Sequence, residues 1–260
     1  MTRVVSSAVL IAFAIGVVWF ASSLVFLVVA AVLVGLGVNE LVVLARASQL
    51  SVAFWPALVA ALLTLVSVGA PGQPLEVALM AALVGLGLAT LGAWRGDPHA
   101  LSTAAVALFP ALYLGLPVGA LVAVRNLRGP RGLFLLMLTI IVSDSMQYYT
   151  GRLFGRRPLA PTVSPKKTIE GAIGGFVFGT ALFASVGAWW LSDMPLALRI
   201  GFGLSIVALG IAGDLFESML KRSANVKDSS TLIPGHGGIL DRIDALLFAA
   251  PVYYIVLRYV

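Results

Sequence analysis

The sequence predicts an all-α fold, a polytopic integral membrane helical bundle of about nine transmembrane helices. Three observations predict it. Hydrophobic residues make up 60% of the 260 positions and charged residues only 11%, and the mean hydropathy is +1.04, far above the range of soluble domains. Several apolar runs reach the roughly 20 residues that a helix needs to cross a bilayer. None of these runs alternates with a two-residue period, which excludes an outer-membrane barrel. With no cysteine in the chain, disulfides and thiolate metal sites are excluded as well. The net charge of +6 does not call for a nucleic-acid partner. Most basic residues flank apolar runs, where topology and anionic lipid headgroups account for them.

Taken in order, the spans fall at residues 4–20, 22–44, 53–69, 75–93, 101–123, 132–150, 169–191, 197–217 and 239–257. Arg3 precedes a long apolar stretch with no short h-region and no small-residue cleavage site, so the first span reads as uncleaved. The long first run divides near Ala21, Ser22 and Ser23. Turn chemistry marks other boundaries: Pro71–Gly72–Gln73–Pro74, Gly96–Asp97–Pro98, Gly129–Pro130 and Asp193–Met194–Pro195. Gly171, Gly175 and Gly179, four apart, suit close helix packing. Trp19, Trp94, Trp189 and Trp190 sit near span ends as interface anchors. Glu40 reads as interfacial and His99 as a loop residue, and neither is assigned to a site. With no linker or repeat, residues 1–260 read as a single membrane domain, with N-terminal helices over 1–100 and a catalytic portion over 101–260. Nine spans place 12 of the 17 Lys and Arg residues on the N-terminal side, so that side is expected to face the cytoplasm. Arg125, Arg128 and Arg131 oppose this placement.

The chemistry concentrates between Ser218 and Asp244. Lys221, Arg222 and Lys227 can hold phosphates, and Asp241 and Asp244, three apart, face one way at the start of the last span. A hard cation such as Mg²⁺ binds through a few carboxylates together with substrate phosphates. The competing explanation, acids complementing a helix dipole, accounts for neither Arg242 between them nor the preceding Gly235-His236-Gly237-Gly238. Glycine without Cβ lets backbone N–H groups approach an anion closely. Asp214, Glu217, Ser218 and Lys221 share one helical face, and Asp144, Gln147, Tyr148 and Gly151 repeat the spacing on another span. Carboxylates in a bilayer usually face an interior or a watery cavity, so the two stripes point to one shared cavity. A hydrogen-bond network without chemistry is the competing reading for Asp144. In Ser164-Pro165-Lys166-Lys167-Thr168, Thr168 and Glu170 read as a capping arrangement that fixes two lysines at a helix N-terminus, itself an anion site. For Arg156 and Arg157, phosphate binding and simple retention on one side of the membrane explain the charge equally well.

These residues resemble the signature of phosphatidate cytidylyltransferases, the CDP-diacylglycerol synthases. The match runs Ser218-x-x-Lys221-Arg222, Lys227-Asp228, His236-Gly237-Gly238, Asp241-Arg242-x-Asp244, with Gly213 to Ser218, Ser164 to Gly171 and the Asp144-Ser145-x-x-Tyr148 region also similar. The chain departs from the family pattern at Met146-Gln147, where Gly-Ala is common. The resemblance implies that CTP and phosphatidic acid give CDP-diacylglycerol and pyrophosphate, a step of phospholipid biosynthesis. It makes Asp214, Asp241 and Asp244 metal ligands for Mg²⁺, with a second cation compatible. Lys221, Arg222 and Lys227 become phosphate contacts, and Asp144, Ser164, Lys166 and Lys167 line the cavity. Ser218, His236, Gly237, Gly238 and Arg242 complete the substrate site. It further implies a homodimer in a bacterial-type inner (plasma) membrane, its site open to the cytoplasm. A CTP-dependent lipid-alcohol kinase would share nucleotide and metal, but the complete 218–244 signature argues against it. A secondary transporter coupled through Asp144 and Asp214 would show inverted repeats and broken midplane helices, and the sequence shows neither.

Overall fold

The structure is a computed structural model that describes residues 2–70, 72–96, 98–230 and 237–259. Pro71, Asp97, Gly235 and His236, each part of a motif named above, lie outside the described residues, as does the side chain of Arg3. The chain folds into two compact units. Unit 1 comprises Met1–Asn126 and Leu220–Arg242, and unit 2 comprises Leu127–Met219 and Ile243–Val260.

Unit 1 opens with α1 (Thr2–Phe20), α2 (Ser23–Ala47), α3 (Phe54–Gly69), α4 (Leu75–Ala93) and α5 (Ala100–Pro110). The expected division of the first run is present. Ser22 caps α2, its hydroxyl accepting from the Val25 N–H at 3.3 Å. α5 passes through a π-helical turn, Ala111–Gly115, into α6 (Leu116–Phe154). The π turn is where α3 comes closest. The buried Thr64 hydroxyl donates to the Ala111 carbonyl at 3.0 Å, and a Cβ on Gly115 would collide with that hydroxyl and with the Ala61 carbonyl. Small residues thus let two apolar helices pack backbone to backbone, which association in lipid favours.

Arg125 ties α6 to α1. Its guanidinium donates to the carbonyls of Val18, at 3.0 Å, and of Ala21, and it lies 4.8 Å from the centre of the Phe26 ring. A cation at the last turn of a helix satisfies carbonyls that lack intrahelical donors. This buried residue is therefore a structural cap. A charge tied into a helix end says little about sidedness, which accounts for one of the arginines that opposed the expected orientation.

In unit 2, Gly129 breaks α6 with φ +69° and ψ −172°. Glycine tolerates that φ, and the ring of Pro130 disfavours helical geometry at the preceding residue. The expected turn is thus present as a break between two helical segments within the run from Ala100 to Phe154. Next come the short antiparallel strands β1 (Pro158–Ala160) and β2 (Ser164–Thr168), then α7 (Ile169–Trp190), α8 (Leu196–Ser223) and α9 (Leu240–Tyr259). The hairpin replaces the loop read from the sequence. Its strands are too short to leave a periodic signature.

The glycine stripe of α7 packs as expected. A Cβ on Gly171 would lie 2.7 Å from the Gln147 carbonyl, one on Gly175 2.6 Å from Gln147 Cγ, and one on Gly179 3.1 Å from Ser143 Cβ. Thr168 caps α7, accepting from the Gly171 N–H at 3.1 Å. Glu170 does not complete a capping box. It accepts from the Arg156 and Arg157 N–H groups at 3.0 and 3.2 Å and so fastens the approach to the hairpin. Phe183, Phe202 and Tyr253 form an aromatic core, and the buried Tyr253 hydroxyl donates to the Gly132 carbonyl at 2.8 Å. Among the described residues, five helices are long and apolar enough to cross a membrane: Ser23–Ala47, Leu75–Ala93, Ala100–Phe154, Ile169–Trp190 and Leu196–Ser223.

Candidate active site

Unit 2 holds a cavity of about 360 Å³. Asp144, Gln147 and Tyr148 line it from α6, Lys166, Lys167 and Thr168 from β2, and Asp214 from α8. Two of the stripes read from the sequence therefore do meet in one cavity, as far as Asp144 and Asp214 are concerned. The hairpin supplies the cations. Lys167 Nζ lies 2.5 Å from Asp214 Oδ2, and Lys166 is exposed. Ser164 sits half-buried at the start of β2 without lining the cavity. Gln147, where the family pattern is broken, donates to Asp144 Oδ1 at 2.9 Å. It adds a hydrogen-bonding group to the cavity and leaves the aspartate in place.

Unit 2 carries further negative charge beside Asp214. The Ser218 hydroxyl donates to Asp214 Oδ1 at 3.4 Å. Asp244 accepts from its neighbour's amide, Ala245 N–H, at 2.7 Å. It also feels the charges of Asp214, Glu217 and Asp144. Gly213 permits this proximity, since a Cβ there would lie 2.5 Å from the Asp244 carbonyl. Asp214 and Asp144 lie near the Lys167 ammonium, and Asp244 and Glu217 add further carboxylates to the group, an excess of hard oxygen donors of the kind that suits Mg²⁺. They share a field without converging. Among the described residues, no three acidic or histidine side chains meet as a ligand cluster.

Unit 1 holds a second polar group, built where the signature loop meets α2. Asp241 accepts from Lys221 Nζ, from Gly238 N–H at 2.8 Å, and from both the N–H and the hydroxyl of Ser229 at 3.2 and 2.8 Å. The reach back to Gly238 resembles one half of a capping box. Glu40, on α2, accepts from the Ile239 and Leu240 N–H groups at 2.9 and 3.0 Å and from the hydroxyls of Ser229 and Ser230 at 2.9 and 2.7 Å. It is 2% exposed. This corrects the sequence reading, which left Glu40 at an interface and outside any site. A signal was available: an acid well inside an apolar helix is expensive unless it has partners.

The glycines of the signature also acquire roles. Gly237 takes φ +74°, and a Cβ on Gly238 would fall on the Ser229 hydroxyl and on both Glu40 oxygens. The close backbone approach expected for phosphate serves the protein's own carboxylates at Gly238. Lys221 is buried. Arg222, which donates to the Val226 carbonyl at 2.9 Å, is exposed, as are Lys227 and Arg242.

An apolar helical scaffold thus carries lysines beside clustered carboxylates. Residues 1–260 match the cytidylyltransferase family, and the chain belongs to it. Its relatives include proteins named phosphatidate cytidylyltransferase. The one from Helicobacter pylori is 39% identical over 180 residues, covering 69% of this chain and 64% of that protein. Those from Thermotoga maritima and Bacillus subtilis are 44% and 38% identical over 135 and 149 residues, covering 50% and 56% of this chain and 50% and 55% of theirs. The chain thus spans about half to two thirds of the length of these relatives.

Proposed function

We propose that this chain transfers the cytidylyl group of CTP to phosphatidic acid, giving CDP-diacylglycerol and pyrophosphate. The observation that carries the reading is the lysine-and-carboxylate cavity of unit 2, set in apolar helices and joined in sequence to the complete 218–244 signature. Both substrates are strongly anionic. The lipid phosphate oxygen attacks the α-phosphorus of CTP, a P–O bond forms there, and pyrophosphate leaves with the electrons of the broken P–O bond. No protein nucleophile is required, so the residues act by holding charge and geometry.

Lys166 and Lys167 would neutralise phosphate oxygens in the cavity, and Lys221 would do so as a point charge. Arg222, Lys227, His236 and Arg242 are proposed as further phosphate contacts by their place in the signature. Mg²⁺ is the proposed metal, where it would neutralise triphosphate charge and polarise the α-phosphorus. Asp214 and Asp244 would hold it, since they sit in the carboxylate-rich field of unit 2. The signature gives Asp241 the same role. A metal there would compete with the Lys221 ammonium, which already occupies one of its oxygens.

The same reading includes nine spans, loops 151–168 and 218–238 facing the cytoplasm where CTP is found, the plasma membrane as location, and a homodimer as the family expectation. Detergent-solubilised protein given labelled CTP and phosphatidic acid tests the central claim. A labelled lipid supports it. Release of labelled CDP, or no lipid product with and without Mg²⁺, overturns it.

A further inference from the structure

We infer that Glu40 is a positioning residue for the signature loop: α2, through this one carboxylate, sets the Ser229–Asp241–Lys221 chain on which the proposed transfer depends. The inference rests on the function proposed above and gives a catalytic purpose to a helix outside the signature. Four donors converge on Glu40, two of them the amides at the start of α9 and two the hydroxyls of Ser229 and Ser230. The amides have no intrahelical acceptor, and the helix end favours a negative partner. The buried carboxylate therefore fixes where α9 begins.

That placement is passed on. Asp241 lies in the first turn of α9. The Ser229 hydroxyl stands between Glu40 and Asp241, within hydrogen-bonding distance of both. Asp241 in turn holds Lys221 Nζ. The hydroxyl proton of Ser229 serves one carboxylate at a time, while its N–H donates to Asp241 independently, and charge-assisted bonds of this kind are shorter and stronger than neutral ones. Gly238 shows how tightly the joint closes, since no Cβ fits between Ser229 and Glu40. The partners of Glu40 are the Ile239 and Leu240 amides and the Ser229 and Ser230 hydroxyls. Its effect must therefore travel through Asp241 and Lys221, as supporting residues act through the groups they orient.

The test uses the full chain in detergent and compares Glu40→Gln, Ser229→Ala and the double variant with Thr64→Val. Thr64 is a buried, hydrogen-bonded residue of unit 1 that does not touch the loop. Glu40→Gln keeps the shape but turns an amide donor toward backbone N–H groups. It should lower kcat about 10- to 100-fold, the usual effect of losing such a supporting partner, with KM for CTP changed less than about threefold. Ser229→Ala should act in the same direction, and the double variant should be no worse than the more damaging single one, because both break one chain. Thr64→Val should lower Tm while kcat per folded molecule stays at wild type. Hydrogen exchange supplies a readout free of activity: the peptide 238–242 should lose protection in Glu40→Gln. If Glu40→Gln behaves as Thr64→Val does, or if 238–242 exchanges as in wild type, the inference is overturned. A wild-type protein that makes no CDP-lipid but shows the exchange change would instead sink the proposed reaction and leave the seating of the loop intact.

Discussion

The polar group of unit 1 and the cavity of unit 2 contain the same chemistry, carboxylates beside lysine, but use it differently. In unit 1 Glu40 and Asp241 each face protein donors on both oxygens, the Ser229 hydroxyl lying within reach of either. In unit 2 the Asp144, Asp214 and Lys167 side chains line a space of about 360 Å³. A carboxylate whose acceptor positions are filled is a fixture, since it holds other groups and has little capacity left for a ligand. A carboxylate facing a cavity retains that capacity.

The largest effect should come from the carboxylates of unit 2. Asp244→Asn keeps shape and removes one charge from the carboxylate field. If that field holds Mg²⁺ against triphosphate, turnover should fall on the order of a thousandfold, and EDTA should abolish wild-type activity until Mg²⁺ is restored. A folded variant with wild-type rate and metal dependence would dissolve the distinction, making Asp244 a helix-end acid worth at most about 1 kcal/mol of stability.

Lys221→Met comes next and addresses the filled group. Loss of a single charge that stabilises the reacting phosphates should lower turnover about a hundredfold or more. Lys221→Arg should recover only part, since a planar guanidinium does not replace a compact ammonium. Near-normal turnover in Lys221→Met would show that the unit 1 network serves folding alone.

A third substitution reads stability rather than rate. Gly238→Ala forces a methyl group against Ser229 and Glu40, and overpacking of this kind costs about 1–3 kcal/mol. The measurement is Tm in detergent, and an unchanged Tm would mean that the loop does not close on α2 as described.

The smallest effect calibrates the others. Arg128 and Asp193 pair at 2.6 Å, with the Asp193 side chain 49% exposed. Its hydrogen bond from Arg128 holds the Asp193 carboxyl below the usual carboxylate range. A lowered folded-state pKa means that its contribution is present above the unfolded value, near 4, and is lost as pH falls through the folded one. Solvent screening limits such a pair to under about 1 kcal/mol. Asp193→Asn should therefore shift Tm slightly at pH 7, and the shift should shrink as pH falls through the lowered folded-state value.

Much of this arrangement was legible in the chain. Long apolar runs give helices whatever surrounds them, and spacings of three and four place Asp144 beside Gln147 and Asp214 beside Ser218. The glycine stripe of α7 and the Thr168 cap followed from the same local rules. What escaped was set by distant partners. Glu40 looks like one stray acid until the loop 199 residues later is seen to reach it. Arg125 resembled a topology signal because its acceptors, Val18 and Ala21, lie about a hundred residues earlier. The β1–β2 hairpin is too brief for periodicity, and its register depends on Glu170 binding Arg156 and Arg157. Gln147 broke a familiar pattern, and only its bond to Asp144 shows what it contributes.

The discontinuity of unit 1 has a consequence in biosynthetic time. Residues 220–242 close a unit whose other part ends at residue 126, so α2 leaves the ribosome long before the amides of Ile239 and Leu240 exist. At elongation rates of about 5–20 residues per second, the 199 residues separating Glu40 from Ile239 take about 10–40 s to synthesise. During that interval the nascent apolar helix carries an acid without its final acceptor-filling loop. Assembly of the signature is therefore a late event in the life of the chain, and a ribosome stalled before residue 239 would release a helix set whose buried Glu40 has yet to meet its partners.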